Sequence, residues 1–413
     1  MRFELFEIIF NNIIKLSGRF ENRKVVVFGT GQAGYVTGVV LNNFEIDYYY
    51  VDNDQSKWGQ SLLGQPVCSP AKLREEGSML LVLVASSFFA EISAQLSAQG
   101  FVYKENYWYI IENVESNLNM EQNHSKKIIN NNYRFPNCPV CNNLDNAFSG
   151  NISYDSDVWF SSYNILLLKI PELWKCNHCR SYFIQNVIPP ELANLLYQAS
   201  YSVVRWVNSF QPDRSNAIFE QLDRHFRCGT RLMDIGCNDG SMLDYAKTRG
   251  CITTGIELCE FSRERVKEKG HQAYATIEEA EGYFDIITAF DLIEHLYDIP
   301  SFLEQCRSKL VDGGMMIILT GDISCLSFKL SNSNWWYCNY PEHVVFPSRF
   351  SYQQFSKYKL EDWLPVYDMY SSAAQNIVDN VWEVFKRVML HGDYCGKPAC
   401  GPDHVLLVLK KSN

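Results

Sequence analysis

The stretch LMDIGCNDGSML, residues 232–243, holds the residue types best suited to chemistry. Leu232 to Ile235 predicts a short apolar strand. Asp234, Gly236, Asn238 and Gly240 follow at alternate positions, and a helix then begins. Gly236 and Gly240 let the backbone turn sharply and approach a ligand closely. Asn238 tolerates the left-handed region that glycine often fills. The start of the next helix offers unpaired N–H groups to an anionic group such as a carboxylate. Beyond it, Glu257 lies at the end of the apolar run CITTGIEL. An acidic side chain at the tip of a second strand can hold both hydroxyls of a ribose.

Two further constellations carry chemistry. Cys138-Pro-Val-Cys141 and Cys176-Asn-His-Cys179 are two C-x2-C pairs. Each presents two thiolates from one tight turn, and two such knuckles complete a tetrahedral zinc site. Four thiolates leave no open position, so the metal is structural. A redox pair is the alternative. His178, inside the second knuckle, is expected to point outward, and the other ten of the 14 cysteines read as small core residues. Separately, GTGQAG at 29–34 satisfies G-x-G-x-x-G with Gly29, Gly31 and Gly34, and Asp52 ends the next strand. That is the context of a dinucleotide fingerprint, and by pattern alone it points to a nicotinamide cofactor.

The elements that position these residues form two α/β alternations. Strands at KVVVFG (24–29), DYYYVD (47–52) and MLLVLVA (79–85), with helices between, give a small parallel unit over residues 1–111. At its start, Phe6, Ile9, Phe10, Ile13 and Ile14 recur at the spacing of an amphipathic helix that packs on the strands and helices after it. Residues 112–132 are polar and Asn-rich and read as a linker. Residues 133–190 carry the cysteine pairs, and 191–227 read as a helical connector. From 228 to 413 a second alternation includes YFDIITAFDLIEHL (283–296), LVDGGMMIILT (310–320) with a Gly-Gly turn before its strand, and a last strand at DHVLLVLKK (403–411).

The 413 residues suffice for two or three domains, and 46% hydrophobic against 20% charged residues is an ordinary globular balance. A net charge of −10 argues against a broad phosphate-binding surface and so against nucleic acid. No apolar run is long enough to span a bilayer. The N-terminus lacks a basic start and a cleavage site, so it does not read as a signal peptide. A reducing cytoplasm with free or metal-bound thiols fits the cysteines. Nothing in the pattern specifies an oligomeric state.

Strand, D-x-G-x-x-x-G loop, acidic residue after strand two, FDIITAFDLIEHL and L-x-D-G-G together resemble a class I S-adenosylmethionine-dependent methyltransferase domain. The resemblance covers residues 228–350 well. It implies an α/β, Rossmann-like fold with a seven-stranded sheet whose last strand is antiparallel, alongside an N-terminal Rossmann-like domain and a small zinc ribbon. It implies that Asp234, Gly236, Asn238 and Gly240 line the methionine part of the cofactor, Glu257 its ribose, and Ala289, Phe290 and Asp291 its edge. A radical use of the same cofactor is disfavoured, because no C-x3-C-x2-C cluster is present.

The cysteine segment and the phrase IGCNDGSML also resemble sugar C-methyltransferases and related enzymes of glycan gene clusters. In those enzymes a tyrosine, a glutamate and a histidine lie after the fifth strand. The segment NWWYCNYPEHVVFPSRFS (334–351) supplies Tyr340, Glu342 and His343 there, with His343 implied as base. Histidine suits the role because its ordinary pKa lies near working pH. His295 is the second candidate, and Trp335, Trp336 and Tyr337 read as buried aromatics or stacking surfaces. VDNDQSKWGQSLLGQPV, in the first unit, resembles a Rossmann-like module of nucleotide-sugar enzymes, which implies a nucleotide or nucleotide sugar at Gly29, Gly31, Gly34 and Asp52. It stands at the N-terminus here, whereas the C-methyltransferases carry it at the other end. The expected function is transfer of a methyl group to a carbon or oxygen of a sugar, as a nucleotide sugar or glycan precursor. The alternatives are an RNA methyltransferase gripping nucleic acid with the ribbon and a non-catalytic NAD-binding assembly protein.

Overall fold

The computed structural model describes residues 3–112, 126–154, 158–199, 216–367, 377–391, 394–397 and 399–412. The chain divides into two compact units, residues 1–125 with 191–199, and residues 126–190 with 200–413.

In the first unit, β1 (Lys24–Phe28), β2 (Tyr48–Val51), β3 (Ser61–Leu62), β4 (Gln65–Cys68), β5 (Leu80–Val84) and β6 (Tyr107–Tyr109) form one sheet in the order β3-β4-β2-β1-β5-β6. β1, β2, β5 and β6 run parallel. The Val, Leu, Tyr and Phe side chains of β1, β2 and β5 are buried on both faces, as a parallel sheet covered by helices requires. The helix Phe3–Leu16 buries Phe6, Ile9, Phe10 and Ile13, each worth about 1.5–3 kcal/mol. Ile14, expected on the same face, is 46% exposed; it sits one step of the helix beyond the buried stripe.

The second unit holds three sheets. β7 (Lys127–Ile129), β9 (Val158–Phe160) and β10 (Tyr163–Leu167) form the first, in the order β7-β10-β9. The linker expected over 112–132 is therefore corrected at its end: Lys127 to Ile129 pair with Ile165 to Leu167, and Ile129 is fully buried. Propensity alone could not show this, because the partner strand lies far along the chain. Buried Asn131 anchors the turn after β7 by donating to the carbonyls of Lys169 and Asn186 and accepting from the Lys169 N–H. Residues 113–125, the rest of that stretch, lie outside the described residues.

β8 (Asn146–Asn151), β11 (Glu172–Cys176) and β12 (Tyr182–Gln185) form the second sheet, which takes a fourth strand, β18 (Val345–Phe346), from far along the chain. The segment 133–190 is thus not closed on itself. Phe135, Leu173 and Phe183 share one buried cluster with Met233, Ile287, Trp335 and Phe346.

The third sheet has seven strands: β13 (Arg231–Ile235), β14 (Ile252–Ile256), β15 (Gln272–Tyr274), β16 (Phe284–Phe290), β17 (Leu310–Gly321), β19 (Tyr358–Val366) and β20 (His404–Lys411). The order is β15-β14-β13-β16-β17-β20-β19, with β20 antiparallel to both its neighbours and the strands from β15 to β17 parallel. The Gly313–Gly314 turn expected ahead of β17 lies inside it, where the register with β16 shifts. The connector of 191–227 falls into two parts. Its helix Pro190–Gln198 clusters with the first unit except for Pro190, while the helix Asn216–Asp223 belongs to the second. Residues 200–215 lie outside the described residues. Among the described residues no helix is long and apolar enough to cross a membrane.

Candidate active site

Where β13 and β14 end, Gly236 and Gly240 adopt φ of 75° and 76° and Asn238 a φ of 46°. The turn is tied to β14 by N–H bonds from Gly236 (2.8 Å) and Cys237 (3.1 Å) to the Ile256 carbonyl. A Cβ at Gly236 would come within 3.2 Å of Leu292, and one at Gly240 within 3.2 Å of Val266. Positive φ and crowding both favour glycine there. The helix Ser241–Thr248 follows, and its first donor is already engaged: Asp239 accepts from the N–H (3.1 Å) and hydroxyl (2.6 Å) of Ser241. The anionic group expected at this helix start is in part the protein's own, a role that the spacing of the loop did not assign to Asp239.

Glu257 turns toward the loop. Its carboxylate accepts from the N–H of Asn238 at 3.1 Å and of Cys259 at 2.8 Å. Asp234 is buried and accepts from the Thr288 hydroxyl at 2.7 Å. Burial, reinforced by the like charge of Glu257, pushes the Asp234 carboxyl up to about 7 against that hydrogen bond. Burial also pushes Glu257 up, against the N–H bonds from Cys259 and Asn238 and the charge of Arg263. Arg263 donates to the backbone carbonyls of Glu257 and Leu258. Among the described residues no cationic side chain forms an ion pair with Asp234 or Glu257. Two desolvated carboxylates without a counter-ion suit a cationic ligand.

At the end of β16, Phe290 and Asp291 are part-buried. Asp291 sits at a φ of 46°, and its N–H bonds to the Leu319 carbonyl. Ala289 is fully buried between Ile235 and Ile318 in the sheet.

Beyond β16 and β17 a second group of side chains converges. Glu294, buried, accepts from the Thr320 hydroxyl at 2.9 Å and from the Tyr337 hydroxyl. His343 bonds through Nδ1 to the Tyr337 carbonyl at 2.7 Å, and His295 through Nδ1 to the Glu342 carbonyl at 3.0 Å. Carbonyls only accept, so Nδ1 carries the proton in both rings. The two rings lie 4.9 Å apart, and the Tyr337 and Tyr340 rings lie 4.2 and 5.1 Å from His343. Burial, then the neighbouring His295 and His404, hold His343 well below the ordinary histidine range. Burial thus favours the neutral form of His343. The Glu342 carboxylate accepts the backbone N–H of Ser161.

Trp335, Trp336 and Tyr337 are buried. Glu294 and Tyr337 stand in segments that the sequence marks, but their pairing was not legible there. Asp403 and His404 were not signalled by any motif. Asp403 accepts from His404 Nδ1 at 2.9 Å and from Trp336 Nε1 at 3.2 Å, and His404 lies 5.0 Å from the Tyr337 ring.

The four knuckle cysteines come together. Cys138 Sγ lies 3.7 Å from Cys179 Sγ and Cys141 Sγ 3.7 Å from Cys176 Sγ, and all four sulfurs are within 4.8 Å of one another. A tetrahedral zinc with bonds of about 2.3 Å sets sulfurs about 3.8 Å apart, so the cage fits that ion. His178 is exposed and lies outside the cage.

In the first unit, Gly34 is fixed by packing: a Cβ there would lie 2.0 Å from the Gly29 carbonyl oxygen. Gly29 has a φ of 110°, and a Cβ at Gly31 would meet open space. Asp52 already accepts from the Thr30 N–H (2.9 Å) and hydroxyl (2.5 Å), the Asp54 N–H (2.9 Å) and Lys57 (3.1 Å). Burial acts to raise its carboxyl, but these donors hold it below the usual range.

Residues 197–362 match the family described as methyltransferase domain. The ubiquinone biosynthesis O-methyltransferase of a Bradyrhizobium species is 32% identical over 124 residues, covering 27% of this chain and 49% of that protein. The protein of the same name from Marinobacter nauticus is 29% identical over 158 residues, covering 33% of this chain and 63% of that protein. The chain thus spans about half to two-thirds of the length of these relatives. The solved structure of coclaurine N-methyltransferase is 14% identical, with a TM-score of 0.35 over 48% of this chain and 72% of that one. The glycine loop lies inside the matched stretch, so residues 197–362 carry a methyltransferase domain.

Proposed function

We propose that the protein transfers a methyl group from S-adenosylmethionine to a small-molecule acceptor. The observation that carries this reading is the pair at the glycine loop, buried Asp234 and part-buried Glu257, with which no cationic side chain forms an ion pair among the described residues. When bound, S-adenosylmethionine supplies an electrophilic methyl group together with two positive charges that this site lacks. Asp234 and the loop of Gly236, Asn238 and Gly240 would hold the amino-acid end. Glu257 would hold the ribose hydroxyls, and Phe290 and Asp291 would border the rest. His343, neutral and with its proton on Nδ1, presents Nε2 as a lone pair suited to take a proton from the acceptor. Its depressed basicity makes it a weak base, so the acceptor's proton must be acidified, as beside a keto group.

The leading acceptor class is a sugar, as a nucleotide sugar or glycan precursor. The Tyr340, Glu342 and His343 cluster and the cysteine pairs support it through their resemblance to sugar C-methyltransferases. In this reading Cys138, Cys141, Cys176 and Cys179 hold a structural zinc. Residues 1–111 form a nucleotide or nucleotide-sugar module, where the room beside Gly31 lets backbone approach a ligand. The cytoplasm is the compartment this reading expects, since two C-x2-C pairs suit metal-bound thiols. A second reading, methylation of a phenolic oxygen, is favoured by the relatives named ubiquinone biosynthesis O-methyltransferase.

The test is calorimetry with S-adenosylmethionine and NAD, followed by a labelled-methyl screen of keto sugars, hydroxyl sugars and phenols. Binding of the sulfonium cofactor with label on a sugar is expected. Label on a phenol selects the second reading, and binding of NAD alone overturns both.

A further inference from the structure

The two cysteine knuckles are bonded to the two segments that carry His295 and His343. The first knuckle reaches the His295 segment. The Pro139 carbonyl, between Cys138 and Cys141, accepts the N–H of Ile299 at 3.1 Å, at the start of the helix after His295. In the same stretch the Tyr297 hydroxyl donates to the Ile188 carbonyl at 2.7 Å. The second knuckle reaches the His343 segment. Ser348 donates its hydroxyl to the Cys179 carbonyl at 2.6 Å, and its N–H donates to the Ser181 hydroxyl at 3.0 Å. β12 then pairs with β18 through Phe183 and Val345, and the Ile184 N–H bonds to the Val344 carbonyl at 2.8 Å. His343 is the next residue back.

On their inner sides the two histidine segments are joined to each other. The Val344 N–H bonds to the Glu294 carbonyl at 2.7 Å, and His295 Nδ1 to the Glu342 carbonyl at 3.0 Å. The contacts therefore run in a ring: first knuckle, His295 segment, His343 segment, second knuckle. Within the cage sulfurs 3.7 Å apart face one another, and no disulfide joins them. Beside the cage Asn177 ties the second knuckle to the chain just after the first, its N–H and Nδ2 each donating to Asp145 at 2.9 Å, and Cys176 pairs with Asn146 in the sheet. A metal bonded to all four sulfurs would add a second closure, at the two turns themselves.

We infer that the four-cysteine cage is a clamp that sets the distance and orientation of His295 and His343, with Ser348 as the positioning residue linking the second knuckle to His343. This rests on the zinc reading given under Proposed function. Removing the metal leaves the Asn177–Asp145 bonds and the β8–β11 pairing as the link between the knuckles, and it loosens the Cys138–Cys141 and Cys176–Cys179 turns, each with its own histidine segment. The glycine loop and Glu257 take no part in the ring, so cofactor binding stays.

The test uses the full chain with its histidines labelled with nitrogen-15. Zinc content is read by plasma mass spectrometry, imidazole resonances by NMR, and S-adenosylmethionine affinity by calorimetry. Removing zinc with a chelator under reducing conditions should move the Nδ1–H resonances of His295 and His343. One equivalent of zinc should restore them, with Kd changed less than about threefold throughout. A chain that takes up no zinc overturns the metal reading and the clamp with it. Zinc uptake and loss with unmoved histidine resonances overturns the clamp alone. Should the zinc-free chain lose its fold, the zinc-loaded variants decide. Ser348→Ala should move the His343 resonance and Ser348→Thr, which keeps the hydroxyl, should bring it back. An unmoved resonance in Ser348→Ala overturns the proposal.

Discussion

Asp234 offers the sharpest quantitative test of the cofactor site. Its carboxyl sits near 7 instead of its ordinary 3.8, a difference of about three units, or on the order of 4 kcal/mol at 1.36 kcal/mol each. The folded chain without ligand thus holds a proton that the unfolded chain releases. This group's contribution to stability is fully present below about pH 3.8 and is lost as pH rises through about 7. A ligand ammonium needs the ionised form, of which about a tenth is present at pH 6 and about nine-tenths at pH 8. Kd for S-adenosylmethionine should therefore fall about tenfold across that interval through Asp234 alone, with proton release visible as a buffer-dependent binding enthalpy. The ligand's own α-amino group titrates at about 7.7–8.0 and works in the opposite direction. The comparison is therefore made against Asp234→Asn, which keeps an acceptor for the Thr288 hydroxyl and leaves only the ligand's titration. Calorimetry at several pH values on both proteins gives the difference. Parallel Kd–pH profiles for wild type and Asp234→Asn would refute the placement of the ligand's cation at this carboxylate.

The same geometry sets three further outcomes. Glu257→Gln turns one acceptor into a donor facing the Asn238 and Cys259 N–H groups, so cofactor Kd should rise about 10- to 150-fold, measured by calorimetry. His343→Ala should cut turnover by about 10²–10⁴-fold with cofactor affinity kept; full activity in a labelled-methyl assay removes it as the base. Gly34→Ala drives a Cβ into the Gly29 carbonyl, and melting of the first unit should report a loss of about 1–3 kcal/mol or more.

The legible parts of the site were those built from neighbours in sequence. The glycine loop could be read because positive φ and a helix start impose residue types on consecutive positions, and the loop of Gly236, Asn238 and Gly240 adopts those angles. The cysteine pairs could be read because each knuckle is a four-residue turn. Periodicity placed β1, β2, β5, β13, β16 and β20, whose buried runs are continuous. Short strands such as β7 and β18 were not legible, since two or three residues carry no period and take their conformation from a distant partner.

What the sequence determined by itself is local: which turns must be glycine, which strands must be buried, and which thiols come in pairs. Tertiary structure alone decided that Glu294 meets Tyr337 and Thr320, that His404 lies beside Tyr337, and that Val345 and Phe346 complete the sheet beside the cysteines. The reason is physical. A backbone dihedral or a turn is settled by residues within a few positions, whereas a buried polar group takes whichever partner the packed core brings within hydrogen-bond reach.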